Sequence, residues 1–289
     1  HQKRFDLYDL IYDDAEERNA FNIGNLFGTK TEDRIMPPPL GVSKTIQQFK
    51  ANMLTLSKKD RKCIYVLDSL DSLSSDEELE KEMRKALAMA KSEEAAKKIA
   101  GSYGMEKAKI LGEVLRMVNN YLKASKSLLV ITQQLRQNVG GGMFEPEFTT
   151  SGGEAPYFYS NHQIWMKKGK KIESRGLIIG THARANIVKN SATGKYRNVE
   201  YDIFYEFGID DVGSCVDWMI EWGFWKKRSI NKVEGIEAKE LGLFEPNRDA
   251  LVAKIEEQRL TRRMRRAVGD AWVEVEKSVL THRTRRYDE

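Results

Sequence analysis

The sequence predicts an α/β fold, with a mostly parallel central sheet flanked by helices and a small α-rich domain at the C-terminal end. Three observations predict it. Short apolar runs ending in acids or amides alternate with stretches of helical spacing through the first half of the chain. Such alternation is the mark of parallel strands joined by helices that cover the sheet. A series of strand-like segments follows, from HQIWMKK to NVEYDIFYEFG. After Gly213 the chain turns helical and aromatic, in CVDWMIEWGFW, and then basic. The expected division is residues 1–212 for the core and 213–289 for the small basic domain.

In order, FDLYDLIY (5–12) reads as a strand that delivers the acids of DDAEE to its C-terminal edge. EERNAFNIGNLFG has helical spacing of Phe21, Ile23, Leu26 and Phe27, stopped by Gly28. MPPPLG (36–41) is extended, because prolines cannot continue a helix. A helix over 43–57 puts Ile46, Phe49, Met53 and Leu54 on one face. CIYVLDSLDSL (63–73) is a continuous apolar run ending in acids, as for a strand buried on both faces. Residues 75–98 are helical but highly charged, without a broad apolar stripe, and read as a solvated excursion. A helix over 105–124 packs Ile110, Leu111, Val114, Leu115, Val118 and Leu122, and SLLVIT (127–132) is the next buried strand. Trp218, Trp222 and Trp225, at roughly helical spacing, read as core or packing residues.

Composition narrows the class. Charged residues make up 31% of the 289 and the apolar set 40%, which suits a soluble globular protein. No apolar run approaches the about 20 residues of a membrane helix. The opening HQKRFDLYDLIYDD does not read as a signal peptide. Cys63 and Cys215 lie far apart without metal-ligand spacing, so neither a disulfide framework nor a zinc site is expected, and a cytoplasmic location is. The net charge of +5 is modest. Its basic end, QRLTRRMRRAV and THRTRRYDE, reads either as a solvated face or as a site for an anionic polymer, through Arg262, Arg263, Arg265 and Arg266.

Ligands of open parallel sheets bind beyond the carboxyl ends of the strands, and three strand ends here carry polar groups. The first presents Asp14 and Glu16, the second Asp68 and Ser69, the third Gln133 and Gln134. Four apolar residues followed by Asp resemble a Walker B strand, whose carboxylate holds Mg²⁺ through water. Glu16 reads as a general base or as a helix N-terminal acid. Gln134 reads as a γ-phosphate sensor or as an ordinary polar strand end. The third strand leads into a long glycine-rich loop, LVITQQLRQNVGGGMFEPEFTTSGGEAPYFYSN. Its glycines (Gly140, Gly141, Gly142, Gly152, Gly153) leave backbone N–H groups able to approach phosphates, and Met143 and Phe144 suit wedging between bases. The alternative is an irregular surface loop.

These residues carry a family resemblance. QQLRQNVGGGMFEPEFTTSGGEAPYFY resembles the second DNA-binding loop of the RecA recombinases, LDSL their Walker B, and DDAEERNAFNIGNLFG the stretch with their catalytic glutamate. ANIVKNSATGKYRNVEYDIFYEFGI resembles their late core strands. The matches keep the family's order over residues 5–225, in the manner of a phage or divergent bacterial member. The resemblance implies a RecA-like ATPase core that uses ATP and Mg²⁺, with Glu16 catalytic, Asp68 on the magnesium side beside Ser69, and Gln134 sensing the nucleotide. It makes residues 136–150 the second loop, with Arg136, Asn138, Thr149 and Thr150 on DNA. The first loop falls near 100–109, with Ser102 and Met105. Lys189 and Phe158 take interface positions, Lys189 reaching a neighbouring subunit's nucleotide. The implied activity is ATP-dependent filament formation on single-stranded DNA, with homologous pairing and strand exchange. Implied partners are single- and double-stranded DNA, further copies of the chain, and mediator or single-strand-binding proteins, with no membrane.

Some positions depart from the family's pattern. Nothing matches GxxxxGK[ST], the phosphate-cradling loop, since GVSKT (41–45) lacks the preceding glycine and follows no strand. Family order puts that loop ahead of Asp14, so the expectation is that the chain lacks an N-terminal part. A second interface lysine is replaced by Ser191, with Lys195 the nearest substitute. The adenine-side positions fall on Ala20 and Ile23. The charged insertion 75–95 has no assigned role. Two rival readings stay open: a non-catalytic DNA-binding or filament-modulating relative, and a helicase motor of the same fold, which should lack the glycine-rich loop.

Overall fold

The computed structural model describes residues 6–18, 22–58, 61–89, 104–137, 148–150, 153–230 and 232–280. The chain divides into two compact units, His1–Gln163 and Ile164–Glu289.

In the first unit the chain runs β1 (Asp9–Asp14), α1 (Ile23–Phe27), α2 (Thr29–Glu32), β2 (Ile35–Met36), α3 (Ile46–Ser57) and β3 (Cys63–Asp68). It continues through α4 (Asp76–Met89), α5 (Gly104–Ser125), β4 (Leu128–Ile131), β5 (Leu135–Gln137), β6 (Phe148–Thr150) and α6 (Ala155–Tyr159). Four strands form an all-parallel sheet in the order β2-β1-β3-β4. The register sets Asp14 opposite Asp68, so β1 and β3 end level and present their acids at one edge. Cys63, Tyr65 and Leu67 alternate inward on β3 and are fully buried. They pack with Ile46, Phe49, Met53 and Leu56 of α3 and Leu111, Val114, Leu115 and Val118 of α5.

Five local readings need correction. β3 buries alternate residues and not both faces, and β4, expected to be buried, leaves Leu128 and Val130 exposed, because it pairs only with β3. Leu54 is exposed and Leu56 is buried in its place, because at 100° per residue Leu54 stands well off the stripe of 46, 49 and 53. The helix expected over EERNAFNIGNLFG does stop at Gly28, at φ +85°, but it is short, α1 from Ile23 to Phe27, and buries none of its residues; α2 follows beyond Gly28. The run 63–73 leaves the strand at Asp68 and makes a short 3₁₀ turn over Leu70–Ser72. The solvated reading of the charged stretch agrees with α4, which buries none of its residues.

In the second unit β7 (His162–Ser174), β8 (Leu177–Asn190), β9 (Asn198–Phe204) and β10 (Gly208–Ile209) form a sheet in the order β10-β9-β8-β7. The β7–β8 turn is Arg175-Gly176, both at positive φ, the backbone a two-residue hairpin demands. Then come α7 (Asp211–Glu221), β11 (Lys226–Ile230), β12 (Val233–Ala238), β13 (Leu243–Glu245), α8 (Arg248–Glu257) and α9 (Thr261–Ser278). Trp225, fully buried, centres a second core with Val216, Met219, Ile236, Leu251, Ile255 and Met264. The three-stranded antiparallel sheet β11-β12-β13 was absent from the sequence reading, which expected helices here. Among the described residues no helix is long and apolar enough to cross a membrane.

Candidate functional site

The site grows from the three parallel strand ends. Just past β1 the backbone N–H of Glu16 donates to the Asp68 carbonyl at 3.1 Å, which ties the two strand ends together. The peptide Asp68–Ser69 is cis. Ser69, buried, donates its hydroxyl to Glu16 Oε1 at 2.6 Å. Gln134, past β4, brings Nε2 to 3.5 Å from the same oxygen. Carboxylate, hydroxyl and amide from three strands therefore meet at one point.

Asp68 is held from both sides. Tyr12 donates to Oδ2 at 2.7 Å and Thr132 to Oδ1 at 2.6 Å. Burial first, and then the bond to Asp68, push the Tyr12 phenol well above its ordinary range, so it stays a donor. A carboxylate has about four lone-pair sites, and two of Asp68's are taken. The other two remain available, and carboxylate oxygen is the hard donor that a hydrated Mg²⁺ takes, although among the described residues no three His, Cys, Asp or Glu side chains gather as a metal site. The phosphate-cradling loop has no match in the 289 residues.

Beneath these groups lies a scaffold that sequence reasoning missed. Asp13 is fully buried and accepts from Ser43 N at 2.8 Å, Ser43 Oγ at 2.6 Å and Tyr65 OH at 2.5 Å. Asn52 extends this set, donating to Ser43 Oγ at 3.1 Å. GVSKT thus has a different job from phosphate cradling: its serine locks the segment ahead of α3 onto β1, and Thr45 caps α3. The only local sign was a short acid pair, Asp13-Asp14, of which one faces inward.

Asp71 was also missed. It accepts from the Gln134 N–H at 2.8 Å and lies 3.5 Å from Arg136 Nη2. A solvent-open pocket of about 240 Å³ is lined by Glu16, Arg18, Asp71, Ser72, Gln134 and Arg136. Beside this rim β5 and β6 pair antiparallel, Leu135 with Thr150 and Arg136 with Thr149, in a two-stranded ribbon.

The other expected residues are placed as follows. Met105 lies in the first turn of α5, within the stretch expected as the first loop. Gly153 has φ +69°, a backbone that favours glycine, and a Cβ there would stand tight, 3.2 Å from the Ala108 side chain. Ser102, Asn138, Gly140, Gly141, Gly142, Met143, Phe144 and Gly152 lie outside the described residues. Phe158 is 73% exposed on α6, edge-on to Tyr159. Lys189 lies near the end of β8. Lys195, the substitute for the missing interface lysine, is engaged with Glu276. Arg262, Arg263, Arg265 and Arg266 are all exposed on α9, and Arg265 pairs with Asp211.

A parallel α/β sheet with acids and an amide gathered beyond its carboxyl edge is a ligand-binding architecture. The family model of the RecA N-terminal domain matches residues 48–210, and the chain belongs to the RecA family. It is similar to Protein RecA of Syntrophus aciditrophicus, 28% identical over 226 residues, which are 78% of this chain and 59% of that protein. It is also similar to Protein RecA of Zymomonas mobilis, 27% identical over 68% of this chain and 49% of that one. With Protein RecA of Chlorobaculum tepidum the identity is 29% over 60% of this chain and 45% of the relative. The chain thus spans about half the length of these relatives.

Proposed function

We propose that this protein is an ATP-dependent homologous recombination protein of the bacterial or phage-infected cytoplasm. It forms filaments on single-stranded DNA, pairs it with homologous duplex and exchanges strands, hydrolysing ATP as DNA stimulates it. The observation that carries this reading is the meeting of Ser69 and Gln134 on one oxygen of Glu16, at the mouth of the loop that begins at Arg136.

Bound ATP with Mg²⁺ supplies the phosphoryl group and the charge to be neutralised. Asp68 and Ser69 stand on the magnesium side. Glu16, oriented by Ser69, accepts the proton of the attacking water. Gln134 reports the γ-phosphate, and because β5 follows it directly, its position sets the base of the DNA loop. Residues 136–150 and the segment near Met105 grip the strand, Lys189 and Phe158 serve the contact between copies, and the arginines of α9 gather duplex DNA. In this reading residues 1–212 are the ATPase core and 213–289 a small basic domain, with mediator or single-strand-binding proteins as accessory partners.

The test is joint-molecule formation by the full-length protein between circular single-stranded DNA and homologous linear duplex. Products that require both ATP and homology support the reading; no product when both are supplied, or product that forms without one of them, removes it. A second reading is a non-catalytic DNA-binding or filament-modulating relative. It predicts DNA binding that ATP leaves unchanged.

A further inference from the structure

We propose that Asp71 is a positioning residue that couples the nucleotide side of the site to the DNA loop, holding Arg136 away from phosphate until Gln134 moves. The inference rests on the recombinase reading above. One carboxylate makes two different contacts: Oδ2 takes the backbone N–H of Gln134 at 2.8 Å and Oδ1 faces Arg136 Nη2 at 3.5 Å. The Asp71 side chain is 6% exposed, whereas that of Arg136 is 63% exposed. A buried acid needs donors to offset its lost hydration, so Asp71 stays in place and Arg136 is the partner free to leave.

Lys107 reaches the turn that carries Asp71. Its Nζ donates to the Leu73 carbonyl at 2.5 Å, and it feels the charges of Glu78, Asp71 and Arg136. Lys107 belongs to the stretch expected as the first DNA loop and Arg136 opens the second. The turn carrying Asp71 follows directly from Asp68 and Ser69 on β3. A displacement of Gln134 breaks the 2.8 Å bond, and with it shifts β5 and the root of Arg136. Arg136 is then open to a phosphate, which forms strong charge-assisted hydrogen bonds with guanidinium. At rest, Asp71 competes for the same guanidinium.

The test is nucleotide-free binding of a fluorescein-labelled oligo-dT to the full-length protein across a salt series. Asp71→Asn should bind about two- to fivefold more tightly at low salt, the scale of an exposed ion pair. Its log–log salt slope should steepen by about 0.7, the value of one added contact on a single strand. Asp71→Ser, which keeps a hydroxyl for the Gln134 N–H, should do the same, and adding Arg136→Gln to either variant should cancel the gain. A purely structural acid would weaken binding without steepening the slope. Unchanged or weakened binding in both variants overturns the proposal, as does a gain that survives Arg136→Gln. If the unaltered protein binds no oligo-dT under any condition, the recombinase reading itself fails, and the role of Asp71 with it.

Discussion

The Ser69 hydroxyl donates to Glu16 Oε1 at 2.6 Å across a sequence gap of 53 residues. That bond aims the acid of one strand end from the turn of another, and the Glu16 N–H to Asp68 carbonyl bond fixes the backbone beneath it. Glu16 is therefore oriented before any ligand arrives. In the proposed reaction, Ser69→Ala should lower kcat about 10- to 100-fold with little change in KM, the scale of one hydrogen bond to a charged group. Steady-state ATPase kinetics of the full-length protein decide this. A change in KM alone would instead make Ser69 a binding group.

Asp13 predicts stability. Replacing it with Ala leaves Ser43 N, Ser43 Oγ and Tyr65 OH without their acceptor in a fully buried place. Two or more orphaned donors cost about 3–5 kcal/mol together. Urea unfolding followed by circular dichroism should show that loss, with Ser43→Ala losing about 1–2 kcal/mol. Equal stability of Asp13→Ala and the parent would contradict the arrangement.

Gly180 on β8 predicts a packing cost. A Cβ there would stand 2.4 Å from the Ile203 carbonyl and 3.2 Å from Phe204 on the paired strand β9. Gly180→Ala should destabilise the second unit by about 1–3 kcal/mol, as overpacking does. Thermal unfolding measured through tryptophan fluorescence checks it, with Gly176→Asn in the exposed turn as a milder comparison.

The pH dependence of the second unit follows from Glu276. Arg197 first, and then Lys195, hold its carboxyl at about 2, below the ordinary value of about 4.3 for Glu. A carboxyl depressed in the folded state contributes stability above its unfolded pKa, and that contribution fades as pH falls from about 4.3 toward the folded value. Unfolding midpoints taken through this window should drop more steeply for the parent than for Glu276→Gln. Parallel pH profiles would mean that the contacts at the tip of the β8–β9 connection do not hold in solution.

The expectations and the fold agree where the physics is local. The runs at β1, β3 and β4 announced themselves because strands of a helix-covered parallel sheet are largely apolar, although β4 leaves Leu128 and Val130 exposed, and parallel strands end together where their polar residues begin. Asp68 stands out as the first polar residue past an apolar run, whereas Glu16 and Gln134 lie a few residues further on, past Asp13 and Thr132. Asp71 and Asp13 were not legible, since acids near a strand end look alike until folding brings Gln134 63 residues away onto one and Ser43 30 residues away onto the other. Leu54 was misplaced because one apolar residue beside the helical stripe satisfies a loose count of spacing. The strands β11 and β12 escaped notice because KKRSI and VEGIEA carry charge on exposed positions and bury chiefly Ile236 and Ala238. Their pairing partners, more than local propensity, make them strands.

The central claim is that Glu16 activates water for a DNA-stimulated ATPase, and the most direct measurement is ATP turnover by the full-length protein with and without single-stranded DNA, beside Glu16→Gln. The account predicts stimulation by DNA in the parent. In Glu16→Gln, turnover should fall about 10²- to 10⁴-fold, the contribution of a general base, while ATP-dependent DNA binding persists. Turnover unchanged by Glu16→Gln, or no turnover in the parent, would contradict it.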